Sequence, residues 1–436
     1  MAAMDITAGA APAAKDALPA HHVAAVVVGN SLEFYDFLTY SFFAAQIGRT
    51  FFPSDNPVSS LLASLATFGA GFLTRPVGAF FIGRLADRIG RRPAMFLSFA
   101  LMGAGMLGLA LTPSYAAIGI FAPILAIVFR LVQGFALGGE LGPSTAYLIE
   151  AAPERRRGVF VSLQYSGQQA AVLAAGLIGY VLAKQLSPAA LDAWGWRAAF
   201  LVGVVIVPFG LILRKRLAET LTIDSDTDPP RPEAVRAYWR LAVLALLLLT
   251  SSTIGTYALG YLTTYAQETL HMTASAAFGA TVSQGVVGMV MVVVGGILSD
   301  RFGRKPTMVW PTVLLVAVIW PSFWAINRYP TAEVLFAATA VMAAISSISS
   351  ASILVAITES LPKRVRAGSL ALIYAVAISV FGGSTQFVIA WLTDLLKDPL
   401  APAFYMIGAT VLGLAAMLFM HESAPVTAQS ASAAPS

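Results

Sequence analysis

Four charged side chains, Glu33, Asp36, Arg75 and Arg130, interrupt long stretches of otherwise apolar sequence. Glu33 and Asp36 are three residues apart, so a helix places both on one face. At helical rise they lie roughly 17 and 21 Å into the first stretch, with Arg75 and Arg130 at similar depth in the second and fourth. Two carboxylates near two guanidiniums make a nearly neutral set that suits proton binding. Burial favours the neutral carboxyl and a nearby guanidinium favours the ionised one, so a conformational change that alters either can move a proton. Histidine is the usual switch near neutrality, but His21, His22, His271 and His421 all lie outside the centres of these stretches, and no lysine lies mid-stretch. A proton carried here must ride on Glu33 or Asp36, and Asp36 is the first choice because it is deeper; the competing reading makes one carboxylate a fixed partner of an arginine. Arg130 keeps its charge and can grip a carboxylate through two parallel hydrogen bonds, so it is an anion ligand or, alternatively, a permanent ion-pair partner of Asp36 or Glu33. Arg75 precedes Pro76, which gives it a structural role at a local helix break.

Uncharged polar groups form a second set. Gln164 and Gln168 are one helical turn apart and Gln169 is adjacent; amides there either donate to a substrate carboxylate or tie helices together. Tyr257, Tyr261 and Tyr265 form an i, i+4, i+8 stripe, with Tyr261 the site candidate against a packing role. The Ser346-to-Ser352 run reads as small-residue helix packing. The sequence has no Ser/His/Asp order, no His/Glu metal spacing and no phosphate-cradling glycine loop followed by lysine, and it has no cysteine. It does not read as an enzyme, and no cofactor or metal is expected.

The elements that must position these groups follow from composition. Of the 436 residues 58% are hydrophobic and only 11% charged, and the mean hydropathy is +0.77; a soluble protein carries about 25% charge. Runs long enough to cross a bilayer number about twelve, at 22–48, 58–83, 94–112, 117–148, 158–184, 197–216, 239–267, 275–298, 307–327, 332–361, 367–396 and 401–420. The fold class is therefore an all-α integral membrane protein. Residues 1–20 carry only Lys15 as a basic group, unlike a signal peptide, so the first span is expected to be retained. With the N-terminus inside, alternate loops collect about 20 of the 27 basic residues, the bias that cytoplasmic loops carry. This orientation places both termini in the cytoplasm of a multi-pass inner or plasma membrane protein, accounts for the basic pI, and leaves no basic–aromatic cluster for nucleic acid.

The chain repeats itself. Gly83-Arg84-Leu85-Ala86-Asp87-Arg88-Ile89-Gly90-Arg91-Arg92 is echoed by Gly296-Ile297-Leu298-Ser299-Asp300-Arg301-Phe302-Gly303-Arg304-Lys305, and Glu150, Pro153 and Arg157 are echoed by Glu359, Pro362 and Arg366. Both recurrences have an offset of roughly 210 residues, which implies two pseudo-symmetric six-helix halves. The expected organisation is a tail at 1–21, a half at 22–216, a linker at 217–238, a half at 239–420 and a tail at 421–436. Transporters are built this way, with the site near midplane between the repeats.

At this point the sequence resembles the major facilitator superfamily, whose most specific signature is the Gly-x-Leu-Ala-Asp-Arg-x-Gly-Arg-Arg loop. Gly29-Asn30 with Glu33 and Asp36, Arg75-Pro76-Val77-Gly78, Arg130-x-x-Gln133-Gly134, Gly138-Gly139-Glu140, Trp194-Gly195-Trp196-Arg197 and Phe381-Gly382-Gly383 are similar to its metabolite–proton symporter branch. The span 5 glutamines, with Gly179-Tyr180 beyond, look most like the citrate and tricarballylate members. The resemblance implies proton coupling through the Arg130 motif and adds Asn30 and Gln133 to Arg130, Arg75, Gln164, Gln168, Gln169 and Tyr261 as substrate-binding candidates. It also implies that Asp87, Arg91, Glu150 and Arg157, with their counterparts Asp300, Arg304, Glu359 and Arg366, gate the cytoplasmic side. The sequence departs from the branch at Gln386 and within Tyr261-to-Tyr265, where prolines are often found. The function expected is proton symport of an organic acid anion, citrate or a related tri- or dicarboxylate, by a monomer in the bilayer. Alternatives are a symporter of a zwitterion such as betaine or proline, a drug–proton antiporter (disfavoured because span 5 has no proline), and a non-transporting membrane protein.

Overall fold

The computed structural model describes residues 20–89, 91–138, 152–153, 156–215, 239–360 and 373–423. Among them there is no strand. The first span is α1 (Ala20–Phe42) continued by α2 (Ala44–Phe51), and the second is α3 (Pro57–Leu73) continued by α4 (Arg75–Ile89). Then follow α5 (Arg91–Leu111), α6 (Phe121–Leu137), α7 (Arg157–Gln185) and α8 (Trp196–Lys215). The second half contains α9 (Trp239–Glu268), α10 (Ala274–Phe302), α11 (Arg304–Arg328) and α12 (Ala332–Ser360). It ends with the span Ile373–Leu396, made of a π-helical turn at Ile378–Gly382 and α13 (Gly383–Leu396), and with α14 (Ala401–Phe419). Eight described helices are long and apolar enough to cross a membrane, and Phe96–Leu111 and Phe121–Leu137 are shorter apolar ones.

Local chemistry sets the boundaries. Asn56 caps α3 by accepting from the Val58 N–H, with Pro57 in the first turn, and Thr273 caps α10 by accepting from Ala276. Gly303, at φ +103°, turns the chain sharply from α10 into α11. The break between α3 and α4 is caused by Pro76, which has no N–H to give the Phe72 carbonyl one turn earlier. Ser379 Oγ, from the π-helical turn in the other half, donates to that carbonyl at 3.0 Å. Thr74 Oγ1 further ties the break to the Leu131 carbonyl of α6 at 2.9 Å.

Glycines bring the site helices together. A Cβ on Gly134 or Gly138 of α6 would overlap the Gly71 or Arg75 carbonyl oxygen, and one on Gly78 would overlap that of Phe135. Helices α3 and α4 therefore lie against α6 backbone to backbone, and Arg75 and Arg130 are carried on facing surfaces. Between the halves, α7 runs along α10, with Gly158 against Gly296, Leu173 against Gly285 and Gly179 against Phe278. The equivalent contact by the internal repeat is α3 against α13, where Gly69 meets Gly383. Gly134→Ala is expected to lower stability by about 1–3 kcal/mol through overpacking, whereas Gly408→Ala, with open space around it, should be neutral or gain up to about 1 kcal/mol. Thermal loss of monodisperse protein in detergent compares the two; equal transitions would refute the close-packing account.

Candidate functional site

Helices α1, α4 and α6 assemble the midplane charges. Asp36 is 0% exposed, Arg130 and Gln133 are each 1% and Arg75 is 6%. Arg130 and Asp36 do not pair directly. The Gln133 amide spans them: Arg130 Nη1 donates to Gln133 Oε1 at 2.7 Å, and Gln133 Nε2 donates to Asp36 Oδ1 at 3.2 Å. Gln133 is one turn along α6 from Arg130, so the helix itself sets the link. Several polar atoms of the set are buried without a hydrogen-bond partner, namely Asp36 Oδ2, Arg75 Nε, and Arg130 Nε and Nη2. Leaving buried polar atoms of charged groups unmet is costly.

Aromatic faces carry the cations. The Arg130 guanidinium carbon lies 4.4 Å from the Tyr40 ring centre and 5.1 Å from that of Phe37, while that of Arg75 lies 4.5 Å from Phe37 and 4.1 Å from Phe72. Phe37 thus serves both arginines. Each such contact is worth about 2 kcal/mol or more when desolvated, which steadies charges that lack an ion-pair partner. Tyr257 of α9 packs edge-on against Phe37, Phe68 and Phe72, so the second half closes the ring cluster.

The remaining candidates divide. The side chains of Glu33 and Asn30 lie outside the described residues. Gln164 is 2% exposed on α7. Gln169 faces Gly288 of α10 and reaches Ser347 Oγ of α12 at 3.5 Å, an interhelical tie; Gln168 is half-buried one residue before it. Tyr261 sits in an apolar cluster with Leu65, Tyr265 and Phe323 rather than with the arginines. Tyr265 is a packing residue whose hydroxyl donates to the Pro399 carbonyl and accepts from Asn327 Nδ2. The serine run packs as expected from its small side chains, with the Ile348 backbone against Gly295.

Ionic clusters occupy both ends of the bundle. At one end Asp300 accepts from the N–H groups of Gly158 and Val159 at 2.9 and 3.0 Å, so a carboxylate of α10 caps the 29-residue helix α7 of the other half. Arg304 Nη1 binds Asp300 at 2.6 Å, and its Nε and Nη2 fork onto Glu359, 3.7 Å from Arg157 Nη1. Asp300, Arg304 and Glu359 are therefore brought together, and they are joined by Arg157, which the repeat groups with Asp87. The side chains of Asp87 and Arg91, together with Glu150 and Arg366, lie outside the described residues. The structure adds Glu422, which accepts from the Arg304 and Lys305 N–H groups, and Ser423, whose Oγ donates to Glu359 at 3.0 Å. At the other end Arg49 bridges Asp192 and Glu268, each at 2.8 Å, while Gln46 Nε2 donates to Gln267 Oε1. No pattern in the sequence marks these pairs, because their members are 64 to 221 residues apart.

Residues 26–367 match the family model described as Major Facilitator Superfamily. The chain belongs to the Major Facilitator Superfamily. A curated relative, the citrate-proton symporter of Klebsiella pneumoniae, is 34% identical over 411 residues, covering 93% of each chain. The proline/betaine transporter of Escherichia coli (strain K12) is 31% identical over 421 residues, covering 92% of this chain and 83% of that one. The solved structure of a D-xylose-proton symporter superposes with a TM-score of 0.75 at 18% identity, covering 93% of this chain and 98% of the other. The arrangement is thus the superfamily's twelve-helix fold of two pseudo-symmetric halves, and this member carries Asp36, Arg75 and Arg130 in the first.

This superfamily member has no cysteine, so one introduced thiol reports a single position. Ser162 on α7 is wholly buried and faces Gly296. In a Ser162→Cys background, Asp300→Asn is expected to speed alkylation by a membrane-permeant maleimide roughly tenfold, from loss of a carboxylate at a helix N-terminus worth about 1–2 kcal/mol. An unchanged rate would remove Asp300 from the closure of this end.

Proposed function

We propose that the protein is a proton-coupled symporter importing an organic acid anion, citrate or a related tri- or dicarboxylate, by alternating access. The observation that carries this reading is the set of unpartnered donors on Arg130 and Arg75, with Gln133 connecting Arg130 to a buried carboxylate. Two fixed cations favour an anion, and the free edge of Arg130 suits a carboxylate. The identities to citrate-proton symporters support the substrate class. The zwitterion alternative has support from the proline/betaine relatives, but the aromatic faces that would take a quaternary ammonium already hold guanidiniums.

The coupling follows from the Gln133 link. An ionised Asp36 repels an anion arriving at Arg130, and a protonated Asp36 does not. Each ligand therefore favours the other, as linkage requires. Loading both leaves the site less charged and able to pass through the closed form. The ionic clusters at the two ends open in alternation, Asp300, Arg304, Glu359 and Arg157 at the cytoplasmic end and Arg49, Asp192 and Glu268 at the outer end. The reading assigns residues 22–216 and 239–420 to the halves, 217–238 to the linker, and 1–21 and 421–436 to cytoplasmic tails of an inner-membrane protein acting as a monomer.

Purified protein in liposomes, given an acidic outside, is expected to accumulate citrate, tricarballylate or 2-oxoglutarate faster than without the gradient, and betaine no faster. Asp36→Asn should lose gradient-driven accumulation while retaining anion exchange. Arg130→Lys should raise the KM at least tenfold, since an ammonium cannot reproduce the two-point grip. Accumulation of no acid above the gradient-free rate would overturn the reading, and an Asp36→Asn variant that still concentrates its substrate would remove that carboxylate from coupling.

A further inference from the structure

Gln386 stands on α13, within one turn of the π-helical segment Ile378–Gly382, and is 0% exposed. Its Nε2 donates to Ser41 Oγ at 2.6 Å and to the Tyr257 carbonyl at 3.3 Å. Its Oε1 is buried with no partner. The orientation of the amide is settled by chemistry: the Tyr257 carbonyl only accepts, so the NH2 group must face it and the carbonyl oxygen is the atom left over. This unmet acceptor is linked to the unmet donors through α1 and Tyr257. Ser41 follows Phe37 by one turn of α1, about 6 Å of rise, and Phe37 is the ring that both Arg75 and Arg130 cover. Tyr257, whose backbone Gln386 holds, packs its ring on Phe37, Phe68 and Phe72.

An isolated acceptor of this kind cannot receive a carboxylate, which is itself an acceptor, and gains nothing from a methylene. It is satisfied by an O–H or N–H donor, and of these an organic acid anion offers the O–H. We propose that Gln386 determines specificity by accepting a hydrogen bond from a hydroxyl of the substrate, so that the transported class is a hydroxylated polycarboxylate whose carboxylates face Arg130 and Arg75. This assignment rests on the anion reading of the site. A site built to pair a substrate hydroxyl rejects the analogue lacking it, because the buried partner is then left unmet.

Citrate and tricarballylate test this, since they share three carboxylates and differ by one hydroxyl. In liposomes with an inward proton gradient, the unmodified protein is expected to show a kcat/KM for citrate at least tenfold above that for tricarballylate. Gln386→Met should bring the ratio to within about threefold of unity by losing citrate transport while keeping tricarballylate uptake, which also reports that the variant is folded. Ser41→Ala removes one of the amide's anchors and leaves the acceptor in place, so it should retain most of the preference. Equal use of both acids by the unmodified protein, or an unchanged ratio in Gln386→Met, overturns the assignment and leaves the anion reading standing. Gradient-driven uptake of neither acid overturns both. If Gln386→Met takes up neither acid, competition by unlabelled tricarballylate against citrate in the unmodified protein decides, with equal inhibition constants overturning the assignment.

Discussion

Burying Asp36, Arg75 and Arg130 without pairing them directly is the constraint around which the site is arranged. Asp36 and Arg130 share a helix interface yet do not touch; the Gln133 amide keeps them apart while connecting them. A direct pair would satisfy both groups and leave an incoming anion little to gain. A separated pair keeps donors available, at the cost of unmet hydrogen bonds on Asp36, Arg75 and Arg130. The cost is met by surroundings that stabilise a guanidinium without neutralising it: the faces of Tyr40, Phe37 and Phe72. The glycines of α3, α4 and α6 serve the same end, because close backbone contact brings both arginines to one phenylalanine.

The helix break at Pro76 belongs to this design. Proline strips a donor from the Phe72 carbonyl, and the carbonyl takes Ser379 from the second half instead. Tyr257 and Gln386 reach α1 from the same side. The site is therefore sealed by groups that belong to different halves, and any rocking of one half against the other alters them directly. At the ends of the bundle the contacts are ionic. Asp300 on the α7 N-terminus is partly buried and draws on the helix dipole, whereas the Arg49 pairs are 43% exposed at the arginine and screened, worth about 0.2–1 kcal/mol each. The unequal strength means the two ends do not open with equal ease.

Much of this was legible in the amino-acid order. Among the described helices hydropathy gave most spans to within a few residues, and the repeated Asp-Arg-x-Gly-Arg loops gave the two halves. Isolated charges pointed to Asp36, Arg75 and Arg130 as well as to Glu33, whose side chain lies outside the described residues. The grouping of Asp300, Arg304 and Glu359 was legible in the repeated motifs, whereas Arg157, grouped there with Asp87, joins them only in the tertiary structure. Other candidates were placed elsewhere by packing: Gln169 ties α7 to α10 and α12, and Tyr261 lies among apolar side chains. In each case the residue type was informative and the direction in which the side chain points was not.

Sequence alone determined that the chain lives in lipid, how often it crosses, which stretches are duplicates and which residues are too costly to be there without a task. These are properties of composition along a line, and the bilayer reads them one span at a time. Tertiary structure decided that Gln133 stands between Asp36 and Arg130, that Phe37 is shared by two arginines, that Glu422 and Ser423 join the Asp300 cluster, and that Gln386 has an oxygen to spare. Each depends on helices distant in sequence meeting at one register and one rotation. Close packing of small residues sets that register, and spacing along a single helix carries no information about it.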